Sequence, residues 1–288
     1  MSDFIERIKE ATPPPPQILL LCSLGLFLLS MLLALFLRGC EPEPVEETPE
    51  PTAKETAEAL LVTAEQMSRL SYKDSVMGEL QWSISQDSLE ELNRVLVEYG
   101  ITTPEEISHF LAQVTVETGA GKELTEHGNE SYFQGRGYTS GTRGAGYLHL
   151  THEYGQMAFS TWMMKRYVPE LKDITYINPS HHGKEEIVSA YYAALRRAAN
   201  LGVDISRYSR VVYDPQSPVL TGADYIAEEF AWESAGYYWH IVGIGAVLSP
   251  SPGVENVDIA SELVGGSNWQ SRREAYLAFY PVLTEQSQ

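Results

Sequence analysis

The chain has 288 residues, 43% hydrophobic and 10% aromatic, which is enough to build a core and excludes disorder throughout. Acidic residues outnumber basic ones 39 to 20, and the net charge of -19 argues against nucleic acid, whose phosphates need clustered Lys and Arg. The two cysteines, Cys22 and Cys40, exclude a zinc ribbon or a disulfide framework, and neither falls in the later part of the chain.

Ile18 to Leu37 is a nearly unbroken apolar run without a charge. About 20 such residues span the ~30 Å hydrocarbon core, so residues 17–38 read as a single transmembrane helix and 1–16 as a short tail. A secretory signal has a shorter apolar region, of about 7–15 residues. Leu37-Arg38-Gly39-Cys40 leaves a lipoprotein cleavage site open, although Arg38 fits poorly there. Arg7 and Lys9 precede the run and Arg38 alone closely follows it, which places the tail in the cytoplasm and the rest outside. Residues 41–55, EPEPVEETPEPTAKE, cannot form a core and repel one another, so 39–60 reads as an extended tether.

The remainder, 61–288, reads as one mainly α domain with its core over about 75–288. A helical pattern at 55–70 is a stalk helix or the first domain helix. Over 87–99, Leu89, Leu92, Leu96 and Tyr99 recur at helical spacing after a cap at Asp87 or Ser88, and Gly100 stops the run. Thr103 as N-cap, Pro104 at the first position and Glu106 three residues on form a capping box. The stripe of that helix is Ile107, Phe110, Leu111 and Val114, and Gly119 and Gly121 end it. Residues 128–150 mix six glycines with Tyr132, Phe133, Tyr138 and Tyr147, which predicts loop and a short hairpin. Helices return at about 153–166, 185–201, 222–242 and 269–280.

Glu117 lies three residues after Val114 and continues the apolar stripe into the last helical turn. Burial and the helix dipole both predict a raised carboxyl pKa, which suits a general acid. The plainer reading is a Glu whose stem packs while its head reaches water. Glu126 follows beyond the glycine break. Two carboxylates about 6.5–9.5 Å apart are what an inverting glycosidase uses. Other groups point to chemistry less well. His149 and His152 are not in the zinc-helix order, His181-His182 reads as a turn, and Ser234 lacks the strand-to-helix elbow of a nucleophile. Tyr237, Tyr238 and Trp239 read as core and cleft wall.

Ala112-Gln113-Val114-Thr115-Val116-Glu117-Thr118-Gly119 resembles the His-Glu-Thr-Gly helix end of glycoside hydrolase family 19, the chitinases and related phage endolysins. Glu126-His127-Gly128-Asn129 resembles the second-carboxylate motif of its endolysin-like members, and Gly144 to Thr151 their Gly-Arg-Gly-x-x-Gln-Leu-Thr segment. Ala231-Trp232 to Trp239 resembles a later core helix, and Leu263-Val264-Gly265-Gly266 with Arg272-Arg273 and Tyr276 the family's ending. The order matches across roughly 110–280. The resemblance implies a lysozyme-like α+β domain that cuts β-1,4 glycosidic bonds of peptidoglycan or chitin by inversion, with no metal and no cofactor. It implies Glu117 as acid, Glu126 as base, Thr151 holding the water, and Asn129, His149, Tyr154 and Arg272 meeting the sugar. The sequence departs from the pattern at Val116, Ala145, His149 and Val264. Those departures keep open a non-catalytic glycan-binding or scaffold module of an envelope assembly. A lytic transglycosylase, which needs no base, fits less well with Glu126 present.

Overall fold

The structure, a computed structural model, describes residues 61–75, 77–248, 253–266 and 268–285. The expected tail, transmembrane helix and tether, and Cys40, lie outside the described residues. Among those residues no helix is long and apolar enough to cross a membrane.

The described chain is mainly helical, with one two-stranded sheet. Helix α1 (Ala64–Arg69) is started by a capping box between Thr63 and Gln66. Strands β1 (Ser71–Asp74) and β2 (Gly78–Gln81) form an antiparallel hairpin in the register Ser71↔Gln81 and Tyr72↔Leu80. Asp74 closes its turn by accepting from the Met77 N–H at 2.8 Å. The hairpin is therefore not where the glycine-rich stretch suggested. Within 128–150 the chain instead forms a six-residue helix, α4, and two isolated bridges, Thr125↔Ala145 and Ala145↔Leu150. Val62, Met67 and Leu70 are fully buried, so the core begins near residue 62 and not near 75.

Helix α2 (Gln86–Glu98) is capped by Ser85, not by Asp87 or Ser88, because it is the Ser85 hydroxyl that reaches the Ser88 N–H. Helix α3 (Pro104–Thr118) starts at the Thr103–Glu106 capping box and ends on Gly119 in the left-handed conformation. It is buried on every face from Ile107 to Val116, wider than the stripe read from the sequence. Helix α4 spans Glu130–Gly135, α5 Glu153–Tyr167, α6 Lys184–Leu201 and α7 Ser206–Ser209. The single helix expected over 222–242 is two, α8 (Ala223–Glu229) and α9 (Ala231–Ile241), parted at Phe230 where φ is -140° and ψ 28°. Helix α10 is Ile244–Val247, α11 Val254–Val264 and α12 Trp269–Thr284.

The largest cluster of buried side chains joins the hairpin, α2, α3, α9, α11 and α12 through Trp82, Leu92, Phe110, Trp232, Trp239 and Phe279. Helices α5 and α6 share another, built on Met157, Met164, Ile187 and Tyr191. The loop 120–152 lies against the first cluster through Tyr147, whose ring stacks on Trp232 with centroids 3.6 Å apart.

Candidate active-site cleft

Glu117 occupies the last turn of α3, and its side chain is 20% exposed. Arg272, on α12, donates to one of its oxygens and to the side-chain amide oxygen of Gln113. Only 2% of the Arg272 side chain meets solvent. It reaches Glu117 because Gly266 has no side chain: a Cβ there would lie 1.8 Å from Arg272 Nη2. Arg272, expected from the resemblance to meet the sugar, is thus buried against the carboxylate of Glu117. The other Glu117 oxygen lies 3.6 Å from His149 Nδ1.

This setting reverses the expected pKa of Glu117. Desolvation pushes it up, as the sequence suggested, but His149 and Arg272 outweigh burial and leave it below the ordinary carboxylate value. Neither partner is visible from the helix alone, since one comes from the loop and the other from α12. Burial favours a neutral His149, yet Glu117, the Glu123 carbonyl and Glu126 together raise its pKa.

Glu126 and His149 both lie against Gly144. A Cβ on Gly144 would sit 2.9 Å from the His149 Cβ and 3.4 Å from the Glu126 Cβ. The Tyr138 hydroxyl donates to Glu126 at 2.7 Å, Tyr132 at 3.0 Å and the Gly144 N–H at 3.3 Å. Burial raises the Glu126 pKa, but these donors and Arg136 outweigh it and hold it below the ordinary value. Both carboxylates are therefore ionised at neutral pH.

Thr151 bonds its own neighbour, with its hydroxyl 3.0 Å from His152 Nδ1. His152 stacks obliquely on Tyr154 and meets Tyr138 edge-on. Tyr138, Thr142, His152, Tyr154, Lys184 and Tyr213 line a groove of about 270 Å³, and Tyr138 links it to Glu126. Asn129 accepts from the Tyr132 N–H at 2.9 Å and caps α4. Its carbonyl oxygen therefore orients the Tyr132 turn, and the residue is exposed. The sequence reading passed over Tyr132, Tyr138 and Tyr213 as site residues; the aromatics clustered among the glycines of 128–150 were the signal for the first two.

Of the groups set aside from the sequence, His149 and His152 belong to this cleft, and the others are in the core or on the surface. The Ser234 hydroxyl is buried and donates to the Ala231 carbonyl. Tyr237 and Trp239 are core, and His182 pairs with Glu186 on the surface. Among the described residues no group of three His, Cys, Asp or Glu side chains is placed to hold a metal ion. A second cavity, of about 390 Å³, has the buried Glu233 in its wall. Glu233 accepts from Arg94 at 2.6 Å and Tyr167 at 3.0 Å, and from Tyr99, which ties α2, α5 and α9 together.

Comparison of the chain with protein-family models, with curated proteins and with solved structures found no match.

Proposed function

We propose that the domain is a lysozyme-like glycan hydrolase that cuts β-1,4 bonds of peptidoglycan or a chitin-like polymer with inversion. In this reading Glu126 takes a proton from water and Glu117 delivers one to the leaving oxygen. The observation that carries it is that Glu117, from a helix end, and Glu126, from a loop, both lie beside His149, Glu117 at 3.6 Å from its ring and Glu126 next to it at Gly144, with Tyr138 joining Glu126 to an aromatic groove. Tyrosine faces such as Tyr154 and Tyr213 suit the apolar faces of sugar rings, and the ionised Glu126 suits a base. The N-terminal apolar run would fix the enzyme to a membrane, with the domain on the extracytoplasmic side. An acidic domain is poorly drawn to an anionic wall, so the tether would supply local concentration.

A second reading is a glycan-binding module without turnover. It is favoured by the pairing of Glu117 with Arg272 and His149, which keeps its carboxyl ionised. Incubation of the protein with peptidoglycan and chitin oligomers, read by mass spectrometry, separates the two. Hydrolysed reducing ends support the hydrolase, bound but intact polymer the module, and anhydro-sugar ends a lytic transglycosylase.

A further inference from the structure

We propose that His149 is the proton reservoir of the cleft, so that the proton Glu117 passes to the leaving oxygen is held on the His149 imidazolium between turnovers. This rests on the hydrolase reading and supplies the acid that the ionised Glu117 lacks.

The geometry suits a protonated His149. Nδ1 faces the Glu117 carboxylate at 3.6 Å, and Nε2 faces the Glu123 backbone carbonyl at 3.3 Å. Both neighbours are acceptors: a hydrogen on Nε2 completes the bond to the Glu123 carbonyl, and one on Nδ1 makes the Glu117 contact an ion pair. Glu117 has two charged partners, and the guanidinium of Arg272 does not give up a proton near neutral pH. His149 is then the partner able to recharge Glu117. The charged groups around it agree. Glu117 on α3 and Glu126 in the loop favour the imidazolium, and the like charge of Arg272 on α12 is paired with the other oxygen of Glu117. The Glu123 side chain is 3.4 Å from His127, and Arg136 lies toward Glu126. The Tyr238 phenol also feels Glu117. His149 further adopts a left-handed backbone conformation, φ 48°, which a residue with a Cβ accepts only where its surroundings hold it.

The step balances. The proton on His149 Nδ1 moves to Glu117 Oε2, and Glu117 protonates the glycosidic oxygen as its bond to the anomeric carbon breaks. The oxygen of water bonds to that carbon, and the proton of water goes to Glu126. The cleft ends with neutral imidazole and protonated Glu126, and solvent carries that proton back to His149.

The test uses the full chain in detergent micelles and follows the imidazole nitrogen signals of His149 across pH in the wild type and in Glu117→Gln. Alongside, kcat/KM on peptidoglycan fragments is measured across pH for the wild type and His149→Gln. The expected result is a His149 midpoint above the ordinary value of about 6.5 that falls in Glu117→Gln and coincides with the alkaline limb of the wild type. His149→Gln should lower kcat about 10²-fold and displace that limb, with KM little changed. A raised KM with an unaltered limb would make His149 a sugar contact and overturn the proposal. So would a His149 that titrates at its ordinary value, a result that needs no folded variant. A wild type that cleaves nothing between pH 4 and 9 overturns the hydrolase reading itself, whatever His149 titrates at.

Discussion

At the scale of single residues, Glu117 is decided by what touches it. Its folded pKa lies below the ordinary carboxylate value, so the ionised form stabilises the fold. That contribution is complete above the unfolded value near 4.3 and is lost as pH falls through the folded pKa. Glu117→Gln keeps the shape but leaves the buried Arg272 without its counter-charge, at a cost of roughly 2–3 kcal/mol near neutral pH. The thermal midpoint of the variant should lie clearly below wild type at pH 7, with the gap closing below about pH 4. A midpoint equal to or above wild type at pH 7 would return Glu117 to the raised-pKa acid that the helix pattern alone predicts. Glu126 carries a separate prediction. Glu126→Gln keeps one oxygen for Tyr138 and Tyr132, gives up the bond from the Gly144 N–H and cannot take a proton, so turnover should fall about 10²–10⁴-fold with glycan binding kept. Near wild-type turnover in a kinetic assay would remove the two-carboxylate mechanism.

At the scale of elements, the loop that carries His149 is pinned to α9 at Gly146. Its φ is 76°, and an added Cβ would lie 2.0 Å from the Ser234 Oγ and 3.1 Å from the Ala231 carbonyl oxygen. Gly119, the C-cap of α3, has φ 59° and nothing within 4 Å of an added Cβ. Gly119→Ala should therefore cost only the left-handed penalty of about 1–2 kcal/mol. Gly146→Ala meets a crowded site as well and should cost about 1–3 kcal/mol more. Urea unfolding of the two variants measures the difference, and equal values would mean that the loop is not held against α9. The start of α3 was legible in the sequence because capping is local: Thr103, Pro104 and Glu106 act within one turn. Helix α11 was not, because its buried positions are Asn256, Val257, Ala260 and Ser261, too small and polar to print an apolar stripe. The break at Phe230 was missed for the opposite reason, since 222–242 is apolar enough to read as one helix while its backbone turns between α8 and α9.

At the scale of the whole molecule, residues 61–74 belong to the main core. Val62, Met67 and Leu70 have no exposed surface, and full burial of such side chains is worth about 1.5–3 kcal/mol each. Their sum rivals the ~5–15 kcal/mol net stability of a domain. A chain of residues 59–288, the compact unit, should unfold cooperatively in circular dichroism, whereas 75–288 should lose its transition or aggregate. A 75–288 chain with the same midpoint would show that the hairpin and α1 are dispensable. The sequence by itself determined what acts over a few residues: the helical class, the capped starts, the glycine stops, the acidic balance, and two carboxylates separated by a glycine break. It also marked Tyr154 and Arg272 as residues of interest. Only the tertiary structure decided that Arg272 lies behind Glu117, that His149 bridges Glu117 and the Glu123 carbonyl, and that Tyr138 and Tyr132 hold Glu126. A pKa depends on groups within a few ångströms, and the groups that reverse the shift of Glu117 come from a loop and a helix that only folding brings beside it.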